Sequence, residues 1–180
     1  MSACGCRGAV VEKLGVRYLV RGGSAIARVP RPGTGVHRVS TMNQAPLSGS
    51  CLCGRVAYRA TGRYSDIGHC HCSKCRKVSG TGSNAVILIS SRDFRWSRGE
   101  DLVKVYQLDS GWKSTFCCEC ECGCPLPMLG AKGKLYWIPV GSLDSEPDAV
   151  PSQHIWVGSK ARWESLPDDL PKYEEKPPHR

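Results

Sequence analysis

The sequence predicts an all-β protein, and three features of its pattern carry that prediction. Short runs rich in β-branched and aromatic residues recur along the chain, and glycine-rich turns separate them. In addition, no stretch shows the periodicity of a long amphipathic helix. Regular short strands between such turns are typical of all-β domains.

The predicted strands follow one another in order. RVAYRA (55–60) ends before Gly62, and NAVILIS (84–90) follows the turn that contains Gly80 and Gly82. LVKVYQL (102–108) lies between turns at Gly99 and Gly111, KLYWIPV (134–140) follows Gly130 and Gly133, and QHIWVG (153–158) is the last.

The chain divides by composition into a leader, a domain and a tail. Residues 1–45 are rich in Arg, Gly and Ser, lack sustained periodicity, and are expected to be disordered. Two other interpretations stay open, namely an organelle transit peptide and an over-extended reading frame whose natural start is Met42. The domain is expected to span residues 46–175, and residues 176–180 form the tail.

The net charge of +9 does not indicate a nucleic-acid-binding protein. Residues 1–45 carry seven basic residues and one acidic residue, whereas the remaining chain carries 18 and 15. The N-terminal region lacks the uninterrupted apolar core of a signal peptide, and no segment approaches the ~20 apolar residues of a membrane span. We therefore expect a protein of a reducing compartment, cytoplasmic or organellar, with no membrane partner.

Twelve cysteines, most of them in three clusters, predict two zinc sites in such a compartment. Cys51 and Cys53 form the first cluster, Cys70, Cys72 and Cys75 the second, and the run from Cys117 to Cys124 the third. The first and third clusters together offer a closed four-cysteine site. The second offers three ligands, which leaves the fourth position of a catalytic zinc open.

A three-thiolate zinc has a net charge of −1 and suits a thiol ligand better than hydroxide-based hydrolysis. Lys74, Arg76 and Lys77 lie beside it in the sequence and can offset that charge or attract an anionic substrate. A purely structural second site, with His69 or His71 as the fourth ligand, stays open. The spacings do not match the usual iron–sulfur runs.

At this point the motifs resemble a known family. GSCLCGRVAY, CHCSKCRKVSG, CGCPLP, VGSLD and HIWVGSKARW, in this order, are similar to the glutathione-dependent formaldehyde-activating enzymes, a family that includes the centromere protein V type. The resemblance implies a β-tent of stacked antiparallel sheets with two zinc ions. It assigns Cys51, Cys53 and a later C-x-x-C pair to a structural zinc, and Cys70, Cys72 and Cys75 to a catalytic one.

The activity that the resemblance implies is carbon–sulfur lyase chemistry on a small thiol–aldehyde adduct. Glutathione adds to formaldehyde to give S-hydroxymethylglutathione, or the adduct is cleaved. The alternative is a non-catalytic zinc module that binds a macromolecular partner, as the centromere-protein branch suggests.

One departure from the family pattern affects the structural zinc. The family has F-C-x-x-C-G where this chain has F-C-C-E-C-E-C-G (116–123). We favour Cys117 with Cys120 as the ligand pair, with Cys122 as the substitute for the second ligand. Cys118 and Cys124 are expected to be spare thiols.

Other candidate residues are expected to serve the fold. Four tryptophans are expected in the core because aromatic residues of short strands usually pack there, and a place along a substrate pocket is the alternative that stays open; they are Trp112, Trp137, Trp156 and Trp163. His154 is expected to be a packed or surface histidine, and Asp144 to shape a turn.

Overall fold

The computed structural model describes residues 44–119, 122–167 and 169–178. These residues form eleven strands and one helix. The first six strands are β1 (Leu47–Ser50), β2 (Ala57–Ala60), β3 (Ile67–Cys70), β4 (Asn84–Ser90), β5 (Phe94–Arg98) and β6 (Val103–Gln107). The others are β7 (Lys113–Cys117), β8 (Met128–Leu129), β9 (Leu135–Pro139), β10 (Pro151–Ile155) and β11 (Lys172–Tyr173). Helix α1 (Ser73–Ser79) lies between β3 and β4.

The strands form two sheets and a two-stranded ribbon. The larger sheet has the order β11-β10-β3-β4-β9-β8, the smaller has β1-β2-β5, and the ribbon pairs β6 with β7. Nearly all neighbours are antiparallel, but β10 runs parallel to both β3 and β11. This arrangement places the end of β3 at the centre of the larger sheet, where β10 and β4 flank it.

The main core lies between the two sheets. Ile87 and Ile89 of β4 are fully buried because alternate side chains of a strand point to the same face. They pack in one cluster with Tyr58 of β2 and Phe94 of β5. The rings of Tyr58 and Phe94 stack with centroids 5.5 Å apart. Phe94 also stacks on Tyr136 of β9 in the larger sheet, with ring centroids 3.8 Å apart. This contact between the two sheets fixes the position of β9, and the pairing of β9 with β4 and of β4 with β3 carries that position to β3.

A second, smaller core surrounds cysteines rather than large apolar residues. Its buried members are Cys51, Val56, Cys117 and Leu126. Cys117 is the last residue of β7, and Thr115 of the same strand is also buried, so one face of the ribbon covers this core. The other face of the ribbon carries Tyr106 and Ser114, which are paired across the two strands.

The prediction of an all-β protein is confirmed. Each of the five predicted runs overlaps a strand, β2, β4, β6, β9 or β10. Strand β4 matches its run at both ends, and no end of the others differs by more than three residues. The expectation for the tryptophans is wrong, because none of the four is buried and Trp163 is 73% exposed. Asp144 Oδ1 accepts a hydrogen bond of 3.0 Å from Ser50 Oγ at the end of β1, so this side chain connects its own segment with a distant strand. Its expected role in a turn stays a prediction.

Some predictions fall on residues that the structure does not describe. They concern the leader up to residue 43, Cys120 in the third cysteine cluster, and the last two residues of the tail. Among the described residues, no helix has the length and apolar character needed to cross a membrane.

Candidate metal centres

Four cysteines from two distant segments come together in the smaller core. The Sγ atoms of Cys51, Cys53, Cys117 and Cys122 all lie within 4.8 Å of one another. Cys51 Sγ is 3.4 Å from Cys53 Sγ, which is 3.9 Å from Cys117 Sγ. Sulfurs that bind one tetrahedral zinc at ~2.3 Å are about 3.8 Å apart. The donor atoms and their spacing therefore fit a four-cysteine zinc site.

The first pair of sulfurs is held by a tight turn after β1. The Cys51 N–H donates to Val56 O at 3.0 Å, and the Val56 N–H donates back to Cys51 Sγ at 3.2 Å. Gly54 has a φ of 72°, a backbone conformation that glycine adopts without steric cost. The turn therefore aims a backbone N–H at a sulfur, a contact that stabilises a thiolate.

The second pair is held by a similar turn after β7. The Gly123 N–H donates to Cys117 O at 3.1 Å, and Gly123 has a φ of 59°. This turn brings Cys122 back beside Cys117. The residue that lies next to Cys117 in the structure is therefore Cys122, which the sequence analysis expected only as a substitute for the second ligand. Cys120, the favoured partner, lies outside the described residues. Cys118 and Cys124 are not members of this group of four.

The pKa values of these thiols diverge because the sulfurs are buried close together. Burial raises the pKa of Cys51, but hydrogen bonds from the Val56 N–H and from neighbouring thiols lower it, to about 7. Burial, followed by the Cys51 and Cys53 thiols, raises the pKa of Cys117. One thiol therefore ionises readily at the expense of another, and ionisation of all four requires a cation between them.

Three further cysteines meet where β3 ends and α1 begins. The Sγ atoms of Cys70, Cys72 and Cys75 lie within 4.8 Å of one another. Cys70 is the last residue of β3 and is buried, whereas Cys72 and Cys75 are half-buried. Cys72 caps α1, since its sulfur accepts a hydrogen bond of 3.4 Å from the Cys75 N–H. The helix start thus converts a linear C-x-C-x-x-C motif into a three-sulfur cup.

The three sulfurs also differ in acidity. A hydrogen bond from Cys75 lowers the pKa of Cys70 to about 6, although burial acts in the opposite direction. The same hydrogen bond, together with burial, raises the pKa of Cys75. A divalent cation would relieve this competition, as in the four-cysteine group, so three thiolate ligands fit a zinc ion with one position left over.

His71 lies between two of these cysteines but is engaged elsewhere. Its side chain is fully buried, with Nδ1 2.9 Å from Glu164 Oε2 and Nε2 2.8 Å from His154 Nδ1. Its backbone N–H donates to Ile155 O of β10 at 3.0 Å. Because both ring nitrogens of His71 are occupied, it is not available as a fourth ligand. His69 Nδ1 lies 3.4 Å from Ser83 Oγ, and the group around Cys70 contains neither histidine.

The contact between His71 and Glu164 is expected to stabilise the cysteine loop. In Glu164→Ala, the buried His71 Nδ1 would lose its partner, which costs about 1–3 kcal/mol. We expect the free energy of unfolding to fall by that amount in denaturant titrations of the zinc-loaded chain. We also expect faster loss of zinc to a chelator. Glu146→Ala removes an exposed carboxylate and is the matched control. An unchanged unfolding midpoint in Glu164→Ala would contradict this role.

Residues 46–159 match the model of the family described as glutathione-dependent formaldehyde-activating enzyme, which is more than half of the chain. The chain belongs to this family. The prediction made from the cysteine motifs is therefore confirmed at the level of the family.

A curated relative and a solved structure add to the comparison. A protein of Halomonas elongata named "Putative glutathione-dependent formaldehyde-activating enzyme" is 34% identical over 80 residues, which cover 41% of this chain and 51% of the relative. The chain thus spans about half the length of the curated relative it matches. A crystal structure of a Rhodobacter sphaeroides protein is 24% identical with a TM-score of 0.46, covering 58% of this chain and 97% of that one.

Sequence reasoning missed two residues that shape the three-cysteine centre of this family member. Glu164 lies 93 residues from His71 in a segment without periodicity, so no local pattern connects them. His154 was expected to be packed or exposed, and it is packed, but its contact with His71 was not foreseen. The available signal was the alternation in His69-Cys70-His71-Cys72, which places histidines and cysteines on opposite sides of an extended chain.

Proposed function

We propose that this chain is a zinc-dependent carbon–sulfur lyase that acts on a thiol–aldehyde adduct such as S-hydroxymethylglutathione. The observation that carries the proposal is the cup formed by the Cys70, Cys72 and Cys75 sulfurs. It offers three ligands, and the described residues include no fourth donor in that group. Family membership supports the same substrate class.

The two cysteine groups take unequal roles in this proposal. Cys51, Cys53, Cys117 and Cys122 would hold a structural zinc, because four ligands leave no position for a substrate. Cys70, Cys72 and Cys75 would hold the catalytic zinc. We keep residues 46–175 as the zinc-binding domain, in the β-tent arrangement that the family resemblance implies.

Bound zinc would supply Lewis-acid stabilisation of a thiolate at the open position of the three-cysteine site. The chain's own residues prepare that position. The Cys75 N–H stabilises the Cys72 sulfur, and His71 anchors the loop from the opposite side. Arg76 donates from Nη2 to Ser159 O at 3.2 Å, so its positive charge stays beside the cup. These contacts favour an anionic thiol substrate.

The proposed reaction needs no oxidant or reductant. In the cleavage direction the carbon–sulfur bond of the adduct breaks, the hydroxyl proton leaves, and the sulfur keeps the bonding electrons. The products are formaldehyde and the thiol once the sulfur is protonated, and the addition is the reverse.

The direct test is an exchange assay on the full chain loaded with zinc. We expect the protein to accelerate interconversion of formaldehyde plus glutathione with S-hydroxymethylglutathione, measured by exchange spectroscopy at equilibrium. No acceleration at full zinc loading, with glutathione or a small neutral thiol, would overturn the lyase proposal. That result would favour the non-catalytic zinc module instead.

The structural ligand set can be tested by comparing two neighbouring cysteines. We expect Cys122→Ser to lose the structural zinc, because the Cys122 sulfur lies with those of Cys51, Cys53 and Cys117. Cys120→Ser makes the same chemical change two residues earlier and should keep two zinc ions per chain. Metal analysis by mass spectrometry under non-denaturing conditions distinguishes the variants. Loss of zinc in Cys120→Ser alone would restore the C-x-x-C pair favoured by the sequence.

A further inference from the structure

A cavity of about 290 Å³ lies between helix α1 and the ribbon of β6 and β7. Helix α1 carries Cys75 in its first turn and is capped by Cys72, so one wall of the cavity continues directly from the three-cysteine site. Ligand pockets usually measure about 300–1,000 Å³, which places this cavity at the lower limit. It is suited to one end of a small molecule whose other end reaches the cysteines.

The helix wall of the cavity carries positive charge. Lys74, Lys77 and Val78 line it from one face, since they are three and four residues apart. Lys74 Nζ donates to Ser110 Oγ at 3.4 Å and so connects the helix with the turn of the ribbon. Lys77 is exposed and has no hydrogen-bond or ion-pair partner among the described residues. Lys77 is therefore available to bind an anion.

The ribbon wall is apolar and aromatic. Tyr106, Leu108, Trp112 and Ser114 line it. The pairing of β6 with β7 places Tyr106 and Ser114 on the ribbon face opposite Cys117, and Leu108 and Trp112 follow in the turn that joins the two strands. No acidic side chain is among the residues that line the cavity. Flat apolar side chains opposite two lysines suit a ligand with a carboxylate at its end and methylene or amide groups along its length.

We propose that this cavity is the subsite for the carboxylate-bearing end of a small peptide thiol, with Lys77 as its anchor. The proposal rests on the proposed function, because that function places the substrate sulfur at the three-cysteine site. Cys75 and Lys77 are separated by about 3 Å along the helix axis. An extended tripeptide spans about 10 Å. Its sulfur can therefore lie at the cysteines while a terminal carboxylate reaches Lys77.

The test uses S-methylglutathione, which has the carboxylates of glutathione but no free thiol, as the probe. Calorimetric titration of the full zinc-loaded chain should show saturable binding. Lys77→Gln should raise the dissociation constant about fivefold, as loss of an exposed ion pair at the upper end of its usual strength does. Lys77→Arg retains the charge and should restore most of the affinity.

The matched control is Lys113→Gln, which removes the same charge from the opposite face of the ribbon. It should leave the dissociation constant unchanged. Equal weakening by Lys113→Gln and Lys77→Gln would indicate general attraction by net charge and overturn the subsite. Absence of saturable binding to the wild-type chain would overturn it too.

Failure of the subsite and failure of the lyase proposal are separable. Formaldehyde exchange with 2-mercaptoethanol, which carries no carboxylate, reports on the three-cysteine site without the cavity. Exchange in that assay together with Lys77-independent binding of S-methylglutathione would reject the subsite alone. Lys77-dependent binding without exchange of any thiol would support the subsite and reject the lyase.

Discussion

Cys72→Ser is expected to remove one of two zinc ions and to slow exchange of the formaldehyde adduct more than about a hundredfold. We expect a loss of this size because replacing a residue that only supports a metal ligand already lowers metal affinity or activity by about 10–100-fold. Cys72 is half-buried and belongs to neither core cluster, so the fold should remain. Three measurements on the same sample check this prediction. Metal content reports the loss of zinc, the rate of exchange reports the loss of activity, and the circular dichroism spectrum reports whether the fold remains.

The control for this variant is Cys118→Ser, which makes the same change at a thiol outside both cysteine groups. It should keep both zinc ions and the exchange activity. If Cys72→Ser unfolds the chain, the three-cysteine site is structural and the division of roles is wrong. If the variant keeps full activity after losing one zinc, the reaction takes place elsewhere.

Cys51→Ser is expected to lose its folded structure, whereas Cys72→Ser is expected to keep it. Cys51 is 2% exposed and forms the smaller core with Val56, Cys117 and Leu126. A structural zinc contributes about 10–16 kcal/mol of binding free energy in zinc-finger peptides. A domain is usually stable by only about 5–15 kcal/mol. Without this zinc, the few apolar residues of the smaller core cannot make up the lost free energy of binding. The chain should therefore be unfolded at 25 °C.

Cys124→Ser is the matched control for Cys51→Ser. Cys124 packs against the same core but is not among the four gathered sulfurs, and its Sγ donates to the neighbouring Pro125 O at 3.6 Å. A serine hydroxyl can make that hydrogen bond, so zinc content and unfolding midpoint should change little. A cooperative thermal transition in Cys51→Ser equal to that of Cys124→Ser would refute the structural role.

The strands that could be predicted from sequence are those whose own residues determine them. NAVILIS is rich in β-branched residues, and β4 follows that run from Asn84 to Ser90. Strands β3 and β7 were missed because each ends in a cysteine of a motif that was interpreted as a chelating loop. Their conformation depends on pairing with neighbours rather than on their own propensity.

Helix α1 also could not be predicted from the sequence. It has seven residues, too few for the helical period to be visible, and it begins inside a motif interpreted as a chelating loop. The sequence predicted the grouping of Cys70, Cys72 and Cys75 but not that a helix cap would create it. It also did not show that Lys77 would face the ribbon.

The tryptophans were predicted in the core because they are aromatic residues of short strand-like runs, and this prediction was wrong for a physical reason. The space between the sheets is filled by Tyr58, Phe94 and isoleucines of β4 and β9. Trp112 instead lines the cavity beside α1. Where an aromatic side chain lies depends on which strand faces meet, and pairing over long sequence distances decides that.

Timed removal of zinc tests most directly whether the chain holds two zinc ions in unequal sites. The group around Cys70 offers three ligands and leaves one position open to a chelator, whereas four cysteines close the site around Cys51. A chelator should therefore remove two zinc ions per chain in two phases. Exchange activity should disappear with the first phase, and the folded structure should be lost only with the second. A single phase, or activity that survives until the chain unfolds, would contradict the claim.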